Sequence, residues 1–169
     1  MIELEQFKKN KIKINWTTIM LGWYGPGKFG RQLKEKEIIN YAIDLITNDD
    51  NQQQDVLMLA SCSEEDCCDI EELINRLANE EKGNKEVEDR KWIVILLMNL
   101  LSNLNDKPTY GLIEITEFWE KFSYPEYSPH IVQGLKNNIN PWDYYSKENY
   151  NNIINMHKQW IKIQLEDLS

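Results

Sequence analysis

Apolar positions recur at helical spacing along nearly the whole chain. Ile38, Ala42, Leu45 and Ile46 step by three and four residues, which predicts an amphipathic helix over about 34–47. Ile14 to Tyr24 also reads as a helix, and Asn48 to Gln54 is polar and reads as a loop. Val56 to Ala60 is a short apolar run that fits a helix better than a strand. Ser63-Glu64-Glu65-Asp66 has the form of a helix start, a Ser cap with acids in the first turn. Ile70, Leu73, Ile74 and Leu77 then follow the i, i+3, i+4, i+7 template, and Gly83 with Asn84 ends that helix. The next helix, about 87–102, is apolar all round from Trp92 to Met98, which predicts a buried central helix.

Asn105-Asp106-Lys107-Pro108 breaks the pattern, and Leu112, Ile115, Phe118, Trp119 and Phe122 restore it. Ser128-Pro129 is a cap followed by Pro at a first helical position, predicting a short helix to about Asn137. After Asn140-Pro141, Ser146 caps a last helix whose stripe is Tyr150, Ile153, Ile154, His157, Trp160 and Ile161. The reading is all-α: one domain over residues 1–169, a bundle of about seven helices. Strand, if any, is expected only at Ile12 to Ile14 and Val56 to Ala60.

Composition narrows the function classes. The 169 residues have the apolar share, 41%, of a domain with a core of its own. Acids outnumber bases 28 to 19, giving a net charge of −9, which disfavours sequence-independent nucleic-acid binding. The longest apolar run is far short of the roughly 18 residues that span a bilayer. With no signal-like stretch at the start, the expected setting is cytoplasmic, with neither membrane nor nucleic acid as partner. The charge is uneven. Asp44 to Arg90 holds 15 acids and 4 bases, a net −11 that exceeds the charge of the whole protein.

Each candidate chemistry has a plainer competitor. Gly25-Pro26-Gly27-Lys28-Phe29-Gly30 fits G-x-G-x-x-G, but the motif needs a strand before it, and an exposed turn is the preferred reading. Cys62, Cys67 and Cys68 are odd in number and read as free thiols of a reducing compartment. Their spacing supplies neither a zinc set nor an activated nucleophile. His157 falls on an apolar stripe and reads as a satisfied core residue; with His130 it completes the histidine inventory, and no catalytic triad is recognisable. Asp69-x-x-Glu72 and Glu86-x-x-Asp89 each set two acids one helical turn apart. Two such pairs on adjacent helices could hold Mg²⁺ against a phosphate, so they faintly resemble the metal site of all-α nucleoside triphosphate pyrophosphohydrolases. Against that reading, such spacings arise by chance in so acidic a segment, and no cofactor is expected. Trp23, Tyr24, Phe29, Tyr124, Tyr127, Trp142, Tyr144 and Tyr145 fall in expected loops. There they either seal helix ends or serve as contact residues for a protein partner.

The segment from Phe118 through Phe122, Tyr124, Pro125 and Glu126 resembles the aromatic-x-x-Phe-x-Tyr-Pro-Glu stretch of an uncharacterised bacterial domain-of-unknown-function family. Trp16 through Gly22-Trp23, Glu37 through Ala42 and Val56 through Ala60 agree with it in order, so the resemblance spans most of the chain. Where that family continues into Met-Pro, this chain has Gly134-Leu135-Lys136. The family offers no catalytic residues to carry over. What the resemblance implies is an immunity protein, a binder that occludes a cognate secreted bacterial toxin, and not an enzyme. The expected contact acids are Glu64, Glu65, Asp66, Asp69, Glu72, Glu86 and Asp89, turned toward a basic groove such as a nuclease toxin presents.

Overall fold

A computed structural model describes residues 1–49, 53–62 and 69–169. Among the described residues it is all-helical, without strand. Its elements are α1 (Glu5–Lys9), α2 (Trp16–Tyr24), α3 (Glu35–Asp49), α4 (Gln54–Ser61), α5 (Ile70–Glu81), α6 (Lys85–Ser102), α7 (Pro108–Lys121), α8 (Pro141–Tyr144) and α9 (Lys147–Leu168). Among the described residues there are nine helices, slightly more than the about seven expected. Two of them, α1 and α8, are not expected from the sequence, being too short to carry a periodic stripe. The helix expected after Ser128 is absent, and irregular turns run from Ser123 to Asn140. There Gly134 and Lys136 have positive φ, and the Asn137 amide donates to the carbonyls of Val132 and Leu135 at 2.8 and 2.9 Å. The Asn side chain thus takes the carbonyls that a helix would have used. The expected cap at Ser63 lies outside the described residues; α5 itself starts at Ile70 with Asp69 at its N-cap.

The chain divides into two compact units, residues 1–92 with 168–169, and residues 93–167, so the division falls inside α6. Trp92 through Leu97 are all buried, as an all-apolar helical stretch requires.

In the first unit α3 packs on α4, α2 on α5, and α4 on α5. The core is built from Phe7, Ile19, Leu33, Ile38, Leu59, Ile74 and Trp92, with the Phe7 and Trp92 rings edge to face at 4.9 Å. Gly22 of α2 lies so close that a Cβ there would meet Trp92 Cζ2 at 2.3 Å and Leu33 Cδ1 at 2.6 Å. The start of α2 is closed by a capping box: Asn15 Oδ1 accepts from Thr18 N at 2.8 Å, and Thr18 Oγ1 accepts from Asn15 N at 3.1 Å. Two carboxylates of other helices complete it. Glu81 accepts from Trp16 N at 2.6 Å, and Glu88 accepts from the Asn15 amide at 2.9 Å and from the Thr18 hydroxyl. Negative charge at a helix N-terminus satisfies its free N–H groups and its dipole. Glu88 and Lys91, 3% and 8% exposed at their side chains, pair at 2.8 Å in the interior.

In the second unit α7 and α9 carry an aromatic core. Trp119 meets Phe118 edge to face at 5.4 Å and Trp160 at 5.5 Å, and Tyr127 stacks on Trp160. Ser146 caps α9 as the sequence predicts, accepting from Asn149 N at 3.2 Å.

Candidate functional site: an acidic depression on α5

Asp69 opens α5 and accepts the Glu72 N–H at 3.0 Å, so this carboxylate sits on the positive end of the helix. Glu71 and Glu72 follow in the first turn and Asn75 one turn later. Together the four line an open depression of about 440 Å³. Its wall is tied to its neighbours by two further residues. Tyr24, at the end of α2, donates its hydroxyl to Glu71 at 3.0 Å and accepts from the Asn75 amide at 2.6 Å. Arg76 reaches from α5 to both oxygens of Asp55 on α4, at 2.8 and 2.9 Å, and to Glu72 at 2.7 Å. Among the described residues, the ion pairs of this face therefore go to Asp55 and Glu72, and Asp69 and Glu71 meet only neutral donors.

Of the seven acids expected from sequence, Asp69 and Glu72 come together here. Glu64, Glu65 and Asp66 lie outside the described residues. Glu86 is exposed in the first turn of α6. Asp89 is half-buried, and burial pushes its carboxyl above the usual range against the opposing pull of Lys85. Glu81 is likewise raised by burial, with its bonds to the start of α2 acting the other way. Among the described residues, no group of three or more His, Cys, Asp or Glu is arranged to hold a metal ion. Spacing of acids does not point to Glu71 and Asn75, which line the depression, or to Tyr24, which braces its wall. Glu71 was legible as a further acid in the first turn, but Tyr24 arrives from a distant helix.

The other candidates resolve locally. The Gly25–Gly30 turn follows a helix rather than a strand. Gly25 has φ 106° and ends α2, and a Cβ there would meet the Phe29 carbonyl oxygen at 2.1 Å. Arg31, which could have met a phosphate, lies over the Trp23 ring at 3.3 Å. Cys62 is disulfide-bonded and not the free thiol expected from sequence. Cys67 and Cys68 lie outside the described residues. His157 is fully buried with both ring nitrogens engaged. Among the loop aromatics, Tyr144 is buried, whereas Tyr24 is half-exposed and Trp142 is 88% exposed. No described helix is long and apolar enough to cross a membrane.

No curated protein and no solved structure matches the chain. A family model does, over residues 4–165, and it fits the expectation of an uncharacterised bacterial domain of unknown function. The chain accordingly belongs to the bacterial family described as "Uncharacterized protein conserved in bacteria (DUF2247)".

Proposed function

We propose that the protein is a non-catalytic binder of the immunity type, which neutralises a basic toxin domain by covering it. The observation that supports this reading is the depression of Asp69, Glu71 and Glu72, where the carboxylates of Asp69 and Glu71, on one helical turn, meet no cation among the described residues. Such a surface attracts a basic partner and steers its approach. Tyr24, half-exposed beside Glu71, supplies the aromatic contact that gives a complex its lifetime. Occlusion asks no residue of this chain to do chemistry.

The test is association with the product of the adjacent gene, measured for the native protein and for Asp69→Asn/Glu71→Gln/Glu72→Gln. The triple variant is expected to bind more slowly at low salt and to lose most of the salt dependence of the rate. An association rate unchanged at every ionic strength rejects this face as the contact. The competing reading, a Mg²⁺-dependent hydrolase built on Asp69, Glu72, Glu86 and Asp89, has its own signature. It requires a Mg²⁺-dependent rise in melting temperature that Asp69→Asn abolishes.

A further inference from the structure

In the second unit two imidazoles lie side by side, with ring centroids 5.5 Å apart. Their hydrogen bonds assign both tautomers. The Thr116 hydroxyl donates to the Leu112 carbonyl at 2.8 Å, so it accepts from His130 Nε2–H, also at 2.8 Å. His130 Nδ1 is then a bare lone pair, buried and without a partner. The Trp119 indole N–H donates to His157 Nε2 at 2.9 Å, so His157 Nδ1–H donates to the Ile153 carbonyl at 2.7 Å. Each ring is a neutral imidazole with its basic nitrogen sealed in.

We propose that His130 and His157 form an acid-released latch, which holds the irregular segment 123–140 against α7 and α9 and lets go when a proton arrives. A proton on His157 Nε2 would set donor against donor at Trp119. A proton on His130 Nδ1 would be buried with no acceptor. The groups facing the pair do not relieve either charge. From α7 come the Thr116 hydroxyl and the Trp119 indole, from α9 the Ile153 carbonyl. The phenols of Tyr124 and Tyr144 gather at Thr116 and Ile131. Among the described residues, no carboxylate acts on either ring.

Movement falls on the segment because His157 sits within a 22-residue helix, while His130 sits on irregular backbone. That backbone is held by side-chain bonds, such as those of Asn137 to Val132 and Leu135 and of Gln133 to the Ile139 carbonyl. Burial lowers His130 to about 3 and His157 to about 4 in the closed form. A released His130 returns to its ordinary value of about 6.5. Each pH unit below that raises the open-to-closed ratio by up to about tenfold for one freed imidazole.

The experiment is nitrogen-resolved NMR of the full chain from pH 7.5 to 4.5. Expected is a joint change of the Trp119 indole N–H and the amides of 128–140, while the Trp92 indole, bonded to the Thr18 carbonyl, stays fixed. His130→Gln, which keeps a donor toward Thr116 but cannot titrate, should leave 128–140 unresponsive to acid. Should that variant fail to fold, the native titration decides alone. Both imidazoles titrating near 6.5 with 128–140 unmoved overturns the latch. So does a single transition in which every amide of the chain changes together.

Discussion

Gly22 is glycine because Trp92 and Leu33 occupy the space a methyl group would need. The Trp92 ring is fully buried and its indole N–H donates to the Thr18 carbonyl, so it cannot tilt away freely. Gly22→Ala should therefore cost about 1–3 kcal/mol as overpacking, despite the better helix propensity of Ala, read as a lower urea midpoint. The buried pair gives a second expectation. Glu88→Gln strips Lys91 of its counter-charge in a dry setting and should cost about 3 kcal/mol or more. Adding Lys91→Met should restore part of that loss, so that the double variant is more stable than Glu88→Gln alone. Strict additivity in urea unfolding would remove the pair from the account of stability. Glu88 was readable in principle. It stands three, four and seven residues before Lys91, Trp92 and Ile95, on the inward stripe of the helix. Spacing of acids alone drew attention to Glu86 and Asp89 instead, one exposed and the other half-buried.

At the scale of elements, the long stripes were legible and the short or side-chain-built pieces were not. The α5 stripe of Leu73, Ile74 and Leu77 is buried as its period demands, and so are Trp92 through Leu97 of the apolar run of α6, with Met98 half-buried. In contrast α1 has five residues and one buried anchor, Phe7, which no periodicity can announce. The Ser128-Pro129 start was real chemistry put to another use, since Ser128 Oγ accepts from His130 N at 3.2 Å within a turn. The α5 cap separates folding from binding. Asp69→Ala should lower stability by about 1 kcal/mol, the usual worth of an N-cap. Glu71→Gln, which caps nothing, should leave the melting temperature within a degree or two. A partner's association rate should fall in both. Loss of binding in Asp69→Ala alone would mean that the cap, not the charge, is what the partner needs.

For the molecule as a whole, acid stability is set by opposing groups. His157 is held at about 4 against an ordinary value of about 6.5, so the unfolded chain binds its proton first. Its contribution is complete above about pH 6.5 and is lost as pH falls toward 4, on the order of 3 kcal/mol over that window. His130, held at about 3, acts in the same direction. Glu81 and Asp89 have the opposite sign. Their carboxyls are raised by burial, so the folded form takes up these protons before the unfolded chain does as pH falls toward the ordinary carboxylate range, which favours folding and softens the decline. Urea midpoints should drop between pH 6.5 and 4.5 in the native protein, and by clearly less in His157→Gln once its own loss at neutral pH is allowed for. A midpoint flat across that range would contradict the neutral, sealed imidazole of His157. The net charge of −9 gave no hint of this balance, because both histidines are neutral in the fold, His157 buried and His130 with its Nδ1 sealed from solvent.

The polar start of α2 also has a consequence in time. Asn15 and Glu88 are 73 residues apart in sequence, and Thr18 and Trp92 are 74 apart. Bringing such distant positions together costs loop-closure entropy before any bond is gained, so these contacts belong late on the folding route. Interactions absent from the transition state govern how fast the native state comes apart rather than how fast it forms. Asn15→Ala, worth about 1 kcal/mol at the cap, should then speed unfolding about fivefold and leave the refolding arm of the chevron nearly where it was. The opposite outcome, slower refolding with an unchanged unfolding arm, would make the junction of α2 with α6 the nucleus of the first unit.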